Sequence, residues 1–536
     1  EQLLAWKQAG FLDEQLATWW DVPIQAVANK RREFAITSVY DAVQAFSEKE
    51  HEEALYYYAT WQADNIDEVK EEKEKVVIVG SGPILIGQGV EFDYCSVQGV
   101  KALQMLGYET ILINNNPSTV STDYEFADKL YIEPLTAEDV FQVMQREGTN
   151  KVIVQFGGQT AINLVEGLEA YGVHILGSSM KTIDTLEDRD LFYQYVQQLD
   201  VPHIPGLIAK DETELYEKAA EIGYPVLVRP SYVIGGQGMA TIENEKALKK
   251  YVHYYLQGAT SYPILIDAFY PGKEIEVDVV TDGENIFIPA IFEHIEKAGV
   301  HSGDSMAVTP PITLDKTTKQ LVVQYAEKIA QDIAFKGIFN IQFVLYDDVL
   351  YVLEVNPRAS RTVPVISKVT GVNMIELATK LLLGASLQSL VGDEKILREN
   401  KFYTVKAPVF SSQKLPGVDP VLVPEMKSTG EIIAIGKTYG ESLHKAFIWN
   451  DQLENTFQQT GKELYVASPT ETIDMETLLQ NVPMTSVEFD EDVSFETVEN
   501  WLKEKTSIVL FSNEESSVIR ERAIEYNVLV LSSEAT

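Results

Sequence analysis

The chain has 536 residues, which at about 150 residues per domain suggests three or four domains, and its 45% hydrophobic content suits a globular chain with real cores. A formal net charge of −38 repels nucleic-acid phosphates and argues against a nucleic-acid role, so any anion site must be built locally from arginines and backbone N–H groups. The single cysteine, Cys95, excludes a disulfide framework or a cysteine-rich metal site, and no apolar run approaches the roughly 20 residues of a membrane span.

Glu1 to Gly10 show neither a signal-peptide pattern nor an initiator Met, so the chain reads as cytosolic and as starting within a longer polypeptide. Residues 1–72 read as short helices, with Leu3, Trp6, Phe11, Leu16, Trp19 and Trp20 at mixed spacings of three to five, ending in the charged run Asp67–Lys75. From Val76 short β-branched runs (VVIVG, TILIN, KLYIE, KVIVQF, VHILG) alternate with helical stretches, which predicts a parallel sheet wrapped by helices over 73–188. The Gly-, Asn- and Ser-rich loops at the strand ends lie where open α/β sheets place ligands. From 189 onward, helix Arg189–Gln198 leads into strands and hairpins interrupted by helix Lys316–Ala334, an α+β pattern rather than a second doubly wound sheet. A polar stretch near 449–462 precedes a small, very acidic α/β unit, 460–536.

GSGPILIGQG follows a strand, but position 85 is Leu where a dinucleotide fingerprint has its third Gly, so a tight turn competes with nicotinamide-cofactor binding. Arg229 ends the strand VLVRPS, where a charge needs a partner such as phosphate; Gly235-Gly236-Gln237-Gly238 just beyond is either a flexible hairpin turn or a loop over that anion. EIEVDVV alternates Glu274, Glu276 and Asp278 with Ile275, Val277 and Val279, which a solvated sheet face explains, although one carboxylate could accept ribose hydroxyls. His301, in the turn-rich GVHSGDS, is by itself as readily structural as catalytic.

The strongest pattern is NIQFVLYDDVLYVLEVNPR. A hairpin with a three-residue loop at Asp347–Val349 puts Gln342 opposite Glu354, with Asn356 on the same face and Ile341, Phe343, Leu353 and Val355 on the other. A two-residue loop shifts this register and destroys the alignment. Two carboxamides and a carboxylate form a hard, oxygen-only set suited to Mg²⁺, and Arg358 and Arg361 follow to grip an anion.

Together, GQGVEFDYCSVQGVKAL, NNNPSTVSTDYEFADKLYIEP, QFGGQTAINL, VRPSYVIGGQGM, AGVHSGDS and LEVNPRASRTVP resemble the synthetase half of the carbamoyl phosphate synthase large chain. VNPRASRTVP and the stretch at 415–432 resemble its second, carbamate-phosphorylating half. The resemblance runs to about residue 460. It implies the end of a helical oligomerisation domain (1–72), a pre-ATP-grasp domain (73–188), an ATP-grasp domain (189–459) and a diverged or shortened allosteric domain (460–536). It also implies roles: Arg189 and Arg229 on the ATP phosphates under the loop with Gly235 and Gly236; Ala268, Tyr270 and Glu274 along adenine and ribose; Gly299, Val300, His301 and Ser302 completing the pocket. Gln342, Glu354 and Asn356 would bind two Mg²⁺ or Mn²⁺ ions, Arg358 and Arg361 would position carbamate, and a potassium ion would sit near Glu274 and His301. The first synthetase half and the glutaminase are absent, so an N-terminal half and a glutamine amidotransferase small subunit become expected partners, with an oligomer. The tail lacks an ATEGTA-like turn, so the expectation is an arginine-pathway enzyme without pyrimidine-nucleotide control. Another ATP-grasp ligase, such as a biotin-carboxylase relative, and an ATP-binding module without turnover are the competing readings.

Overall fold

The computed structural model describes residues 2–44, 54–61, 73–84, 89–177, 179–230, 238–256, 262–410 and 422–448, together with four short strands beyond 463. Helices Gln2–Gln8, Asp13–Trp20 and Ile24–Glu33 open the chain. The purely helical reading of 1–72 fails after them, because β1 (Val39–Gln44) and β2 (Ala54–Thr60) form an antiparallel hairpin. The reason is aromatic side-chain packing on a sheet edge: the Tyr40 and Tyr57 rings both pack on Tyr131, and Tyr57 pairs with Tyr131 in the ladder.

That hairpin extends a sheet built from β3 (Lys75–Val79), β4 (Glu109–Ile113), β5 (Lys129–Tyr131), β6 (Lys151–Ile153) and β7 (His174–Ile175), in the order β1-β2-β5-β4-β3-β6-β7. All pairings except β1 with β2 are parallel, as the alternating pattern predicts. In the turn after β3 the Gly82 N–H donates to Asn114 Oδ1 (3.1 Å) and its carbonyl accepts from Asn116 Nδ2 (3.1 Å). A Cβ on Gly80 would lie 2.7 Å from the Asn114 side chain, so this glycine serves close packing. Residues 85–88 of the motif lie outside the described residues.

β8 (Gly206–Ala209), β9 (Val226–Pro230), β10 (Ala240–Ile242) and β11 (Ile264–Ala268) make a small antiparallel sheet, ordered β10-β9-β11-β8. The largest sheet contains β12 (Lys273–Thr281), β13 (Ile286–Phe287), β14 (Ile291–Lys297), β15 (Ala307–Thr309), β16 (Gly337–Tyr346), β17 (Val349–Asn356), β18 (Tyr403–Val409) and β19 (Gly430–Gly436). It runs β17-β16-β12-β14-β15-β18-β19, with β13 beside β12. In the tail, Leu464–Ala467, Met484–Ser486, Ile508–Phe511 and Val530–Ser532 pair in parallel.

One face of the large sheet is apolar. Ile275, Val277, Ile341 and Phe343 pack there in one core with Phe192 of helix Arg189–Gln198 and Val322 of helix Lys316–Asp332. Each such burial contributes about 1.5–3 kcal/mol. A second core joins the two large sheets: Cys95, Val100 and Leu103 of helix Glu91–Met105 cluster with Val280, Ile338, Ile366 and Met374. Cys95 therefore packs, and burial pushes its thiol well up. Gln155, after β6, stitches the same seam: its amide bonds the Lys336 carbonyl (2.9 Å) and the Ile338 N–H (3.0 Å), and its own carbonyl accepts from Ala359 N (3.0 Å).

Candidate active site

The β16–β17 hairpin has a two-residue loop, not three. Tyr346 pairs with Val349 across Asp347 and Asp348, whose φ values of 47° and 61° form a tight turn that Asp tolerates in the left-handed region. The shift this should cause is cancelled by a β-bulge: Phe343 pairs with Val352, then Gln342 with Glu354, leaving Leu353 as the extra residue. Gln342 lies opposite Glu354 and Asn340 opposite Asn356 after all. Leu353 is thus not a regular member of the apolar face. Its carbonyl accepts a 2.6 Å hydrogen bond from Arg189 Nη1, so the bulge also anchors an arginine.

Each amide of the set donates to a neighbour. Gln342 Nε2 approaches Ser302 Oγ (3.4 Å), and Asn356 Nδ2 donates to Glu354 Oε1 (3.1 Å) and toward Asn340 Oδ1 (3.5 Å). Their oxygens, with the second Glu354 oxygen, are the donors left for a cation, and such a sparse hard set fits Mg²⁺ completed by phosphate and water.

Four arginines surround this face. Arg189, at the start of a helix capped by Asp188, and Arg229, on β9, approach Glu354 Oε2 at 3.5 and 3.9 Å. Burial alone would raise the Glu354 carboxyl, but these two arginines, Asn356 and Arg358 outweigh it and hold it below the usual range. Burial and the neighbouring Arg189 charge lower the Arg229 guanidinium. Arg358 donates to Gln159 Oε1 (3.1 Å) and reaches Asn356 Oδ1 (3.4 Å), while Arg361 pairs with Glu91 at 2.9 Å. Gln159 and Glu91 belong to the parallel-sheet region, and sequence reasoning missed both.

The remaining expected nucleotide residues line the neighbouring strands and loops. Ala268 ends β11 beside Pro205, with its N–H on the Pro205 carbonyl (2.8 Å). The Tyr270 ring stacks on Tyr346 at 4.9 Å, and its carbonyl accepts from Gly272 N (2.7 Å). Gly299, at φ 114° against Phe269, leads into buried Val300. His301 Nδ1 accepts from Gly303 N (3.0 Å) within its own turn, the structural reading of that histidine, and burial lowers its pKa. Gly238 N reaches toward Glu425 (3.5 Å), whereas Gly235 and Gly236 lie outside the described residues.

The solvated-face reading of EIEVDVV is overturned. Glu276 and Asp278 are buried, at 4% and 0% exposure, because β12 is central and its polar face lies under the segment that follows β17. His294 of β14, also missed, is 3.4 Å from both Glu274 and Glu276. Burial opposes its charge, but the two carboxylates prevail and raise it to about 9. The sequence shows His294 in the strand IFEHIEK, but only the pairing with β12 reveals its partners.

Residues 72–185 match the family described as carbamoyl phosphate synthase preATP-grasp domain, and residues 188–390 match carbamoyl-phosphate synthase L chain, ATP binding domain. The chain is 48% identical, over 545 aligned residues and its whole length, to the carbamoyl phosphate synthase arginine-specific large chain of Halalkalibacterium halodurans, covering 52% of that protein. The chain belongs to the carbamoyl phosphate synthase large-chain family. It is 55% identical to the arginine-specific large chain of Geobacillus stearothermophilus over 82% of its own length and 42% of that protein's. It thus spans about half the length of these large chains.

Among solved structures, the biotin carboxylase domain of Hydrogenobacter thermophilus 2-oxoglutarate carboxylase, in complex with MgADP, ADP and bicarbonate, superimposes with a TM-score of 0.55 at 19% identity. The match covers 71% of this chain and 90% of that one. Biotin carboxylase from Campylobacter jejuni gives 0.53 at 18%, over 70% and 90%. At these identities the likeness is one of fold. The carbamoyl phosphate synthase family match and this shared ATP-grasp architecture agree with the expected fold class. No helix among the described residues is long and apolar enough to cross a membrane.

Proposed function

We propose that this chain phosphorylates carbamate with ATP, giving carbamoyl phosphate and ADP, the last step of synthesis from bicarbonate, glutamine-derived ammonia and ATP. The observation that carries this reading is Gln342, Glu354 and Asn356 on one sheet face among Arg189, Arg229 and Arg358. Arg189 and Arg229 would hold the nucleotide phosphates, since Glu354 meets them only at 3.5 and 3.9 Å. Arg358 and Arg361 would orient carbamate so that its oxygen attacks the γ-phosphorus in line while they offset the spreading charge. Two Mg²⁺ or Mn²⁺ ions held by Gln342, Glu354 and Asn356 would supply charge neutralisation at the phosphates. A potassium ion at Glu274 would share that carboxylate with His294.

The reading extends to the domain division at 72, 188 and 459, to an N-terminal synthetase half and a glutamine amidotransferase small subunit as partners, to an oligomer, and to the cytoplasm. The names of the two relatives support a place in arginine biosynthesis rather than pyrimidine synthesis.

The test is ATP formation from carbamoyl phosphate and Mg-ADP. The parent should turn over, and Glu354→Gln should lose about 100-fold or more. A parent that binds Mg-ADP yet forms no ATP would instead favour a nucleotide-binding module without turnover.

A further inference from the structure

Three adjacent strands carry two cross-strand polar rows. One is Glu276–Gln342–Glu354 and the other Asp278–Asn340–Asn356 on β12, β16 and β17. The β17 ends of both rows, and Gln342, belong to the proposed cation set; Glu276, Asp278 and Asn340 are buried beneath. A buried carboxylate pair is unfavourable unless its hydrogen bonds are fully used. Glu276 Oε2 turns to His294 of β14, whereas the bonds of Asp278 run toward the site.

Asp278 Oδ2 accepts from Ser360 Oγ (2.8 Å) and from the Thr362 hydroxyl, the residues that flank Arg361. Its Oδ1 accepts from Asn340 Nδ2 (3.3 Å), which also donates to Glu276 Oε1 (2.9 Å). The Glu276 carboxylate and the Val277 carbonyl (3.3 Å from Asn340 Nδ2) can only accept, so with Asp278 beside them the Asn340 amide turns its nitrogen toward β12 and its oxygen toward β17. That oxygen receives Asn356 Nδ2 (3.5 Å), which leaves Asn356 Oδ1 facing Arg358 and the cation position.

We infer that Asp278 is a positioning residue of the site. Through Ser360 and Thr362 it fixes the loop that carries Arg358 and Arg361, and together with Glu276 and the Val277 carbonyl it turns Asn340, which sets the atom of the Asn356 amide that faces the cation. It touches neither substrate nor cation. The inference rests on the proposed function for its cation and arginine roles, and supporting residues of this kind typically change metal affinity or activity 10–100-fold.

Mn²⁺ binding to the purified chain in the presence of ADP, followed by electron paramagnetic resonance, should weaken about tenfold or more in Asp278→Ala. In the ATP-forming assay the same variant should lower kcat and raise the Mn²⁺ requirement, while KM for ADP at saturating Mn²⁺ stays within about twofold. Thr362→Val, which removes one hydroxyl without changing volume, should lower kcat, and Thr362→Ser should restore it; this pair decides the matter if Asp278→Ala does not fold. Parent-like Mn²⁺ affinity and kcat in a folded Asp278→Ala, or in Thr362→Val, would overturn the inference, even if only the melting temperature fell. If the parent binds Mn²⁺-ADP but makes no ATP, the proposed reaction fails while the Mn²⁺ titration still judges Asp278.

Discussion

Two clusters of buried charge in this molecule have opposite construction. Where the N-terminal helices dock on helix Ala137–Glu147, Lys7 and Arg31 meet Asp13 and Glu138, two cations against two anions. The Lys7–Glu138 and Arg31–Asp13 contacts are 2.5 and 2.6 Å, and at most 4% of any of these side chains is exposed. In the candidate active site, Arg189 and Arg229 share Glu354 at 3.5 and 3.9 Å, and Arg358 adds a third positive charge. The first cluster is closed by short ion pairs; in the second, Asp267 and Glu354 act on Arg189 and Arg229, and Glu187 on Arg358, with the Glu354 contacts no shorter than 3.5 Å. Contact length, not burial, separates the docking seam from the candidate active site.

Breaking the balanced seam should have the largest effect on stability. Arg31→Ala leaves Asp13 and Glu138 buried without their guanidinium and should cost about 3–5 kcal/mol in denaturant unfolding, with turnover per folded molecule unchanged. Glu133 supplies an intermediate case. It is buried at 4% exposure with no salt bridge among the described residues, and burial, countered only in part by the Ala59 N–H, raises it to about 7. A raised carboxyl favours the fold below its unfolded value of about 4.5, and that contribution is lost as pH rises through 7. Glu133→Gln should therefore be more stable than the parent at pH 8, by up to about 3 kcal/mol, with the gap closing toward pH 4.5 in pH-resolved melting curves.

Arg229→Met should separate the clusters in the other sense. Relief of repulsion from Arg189 leaves the melting temperature unchanged or higher, while KM for ADP rises about 10–100-fold. The exposed Glu245–Lys249 pair, also at 2.5 Å but 62–64% exposed, is the control: Lys249→Ala should leave melting unmoved, since short contacts in water contribute little.

Much of this was legible in the sequence because it is local. The strand runs of β3 to β7 and helix Arg189–Gln198 follow from periodicity and β-branched content. The Gln342–Glu354 pairing was legible too, but for an incomplete reason: the loop is one residue shorter than expected, and Asp347-Asp348 is itself a turn signal. The bulge at Leu353 that restores the register meets Arg189, 164 residues away, and no local pattern encodes it. Glu276 and Asp278 looked solvated because period two tells which residues share a face, not what covers that face. His294, Gln159 and Glu91 were invisible for the same reason, each acquiring its partner only across strands or domains.

The bonds from Gln159 to Arg358 and from Glu91 to Arg361 bear on how this family can be cut and recombined. The arginines are encoded in one region and held in place by another, so the functional unit does not end where the compact domains do. A chimera that transplants residues 188–448 between relatives carries Arg189, Arg229, Gln342, Glu354 and Asn356 together, but it holds Arg358 and Arg361 in place only if the recipient supplies an amide and an acid at those two places. Recombination at the domain border cuts a shared apolar core as well as these two bonds, which makes the two regions a single unit of inheritance.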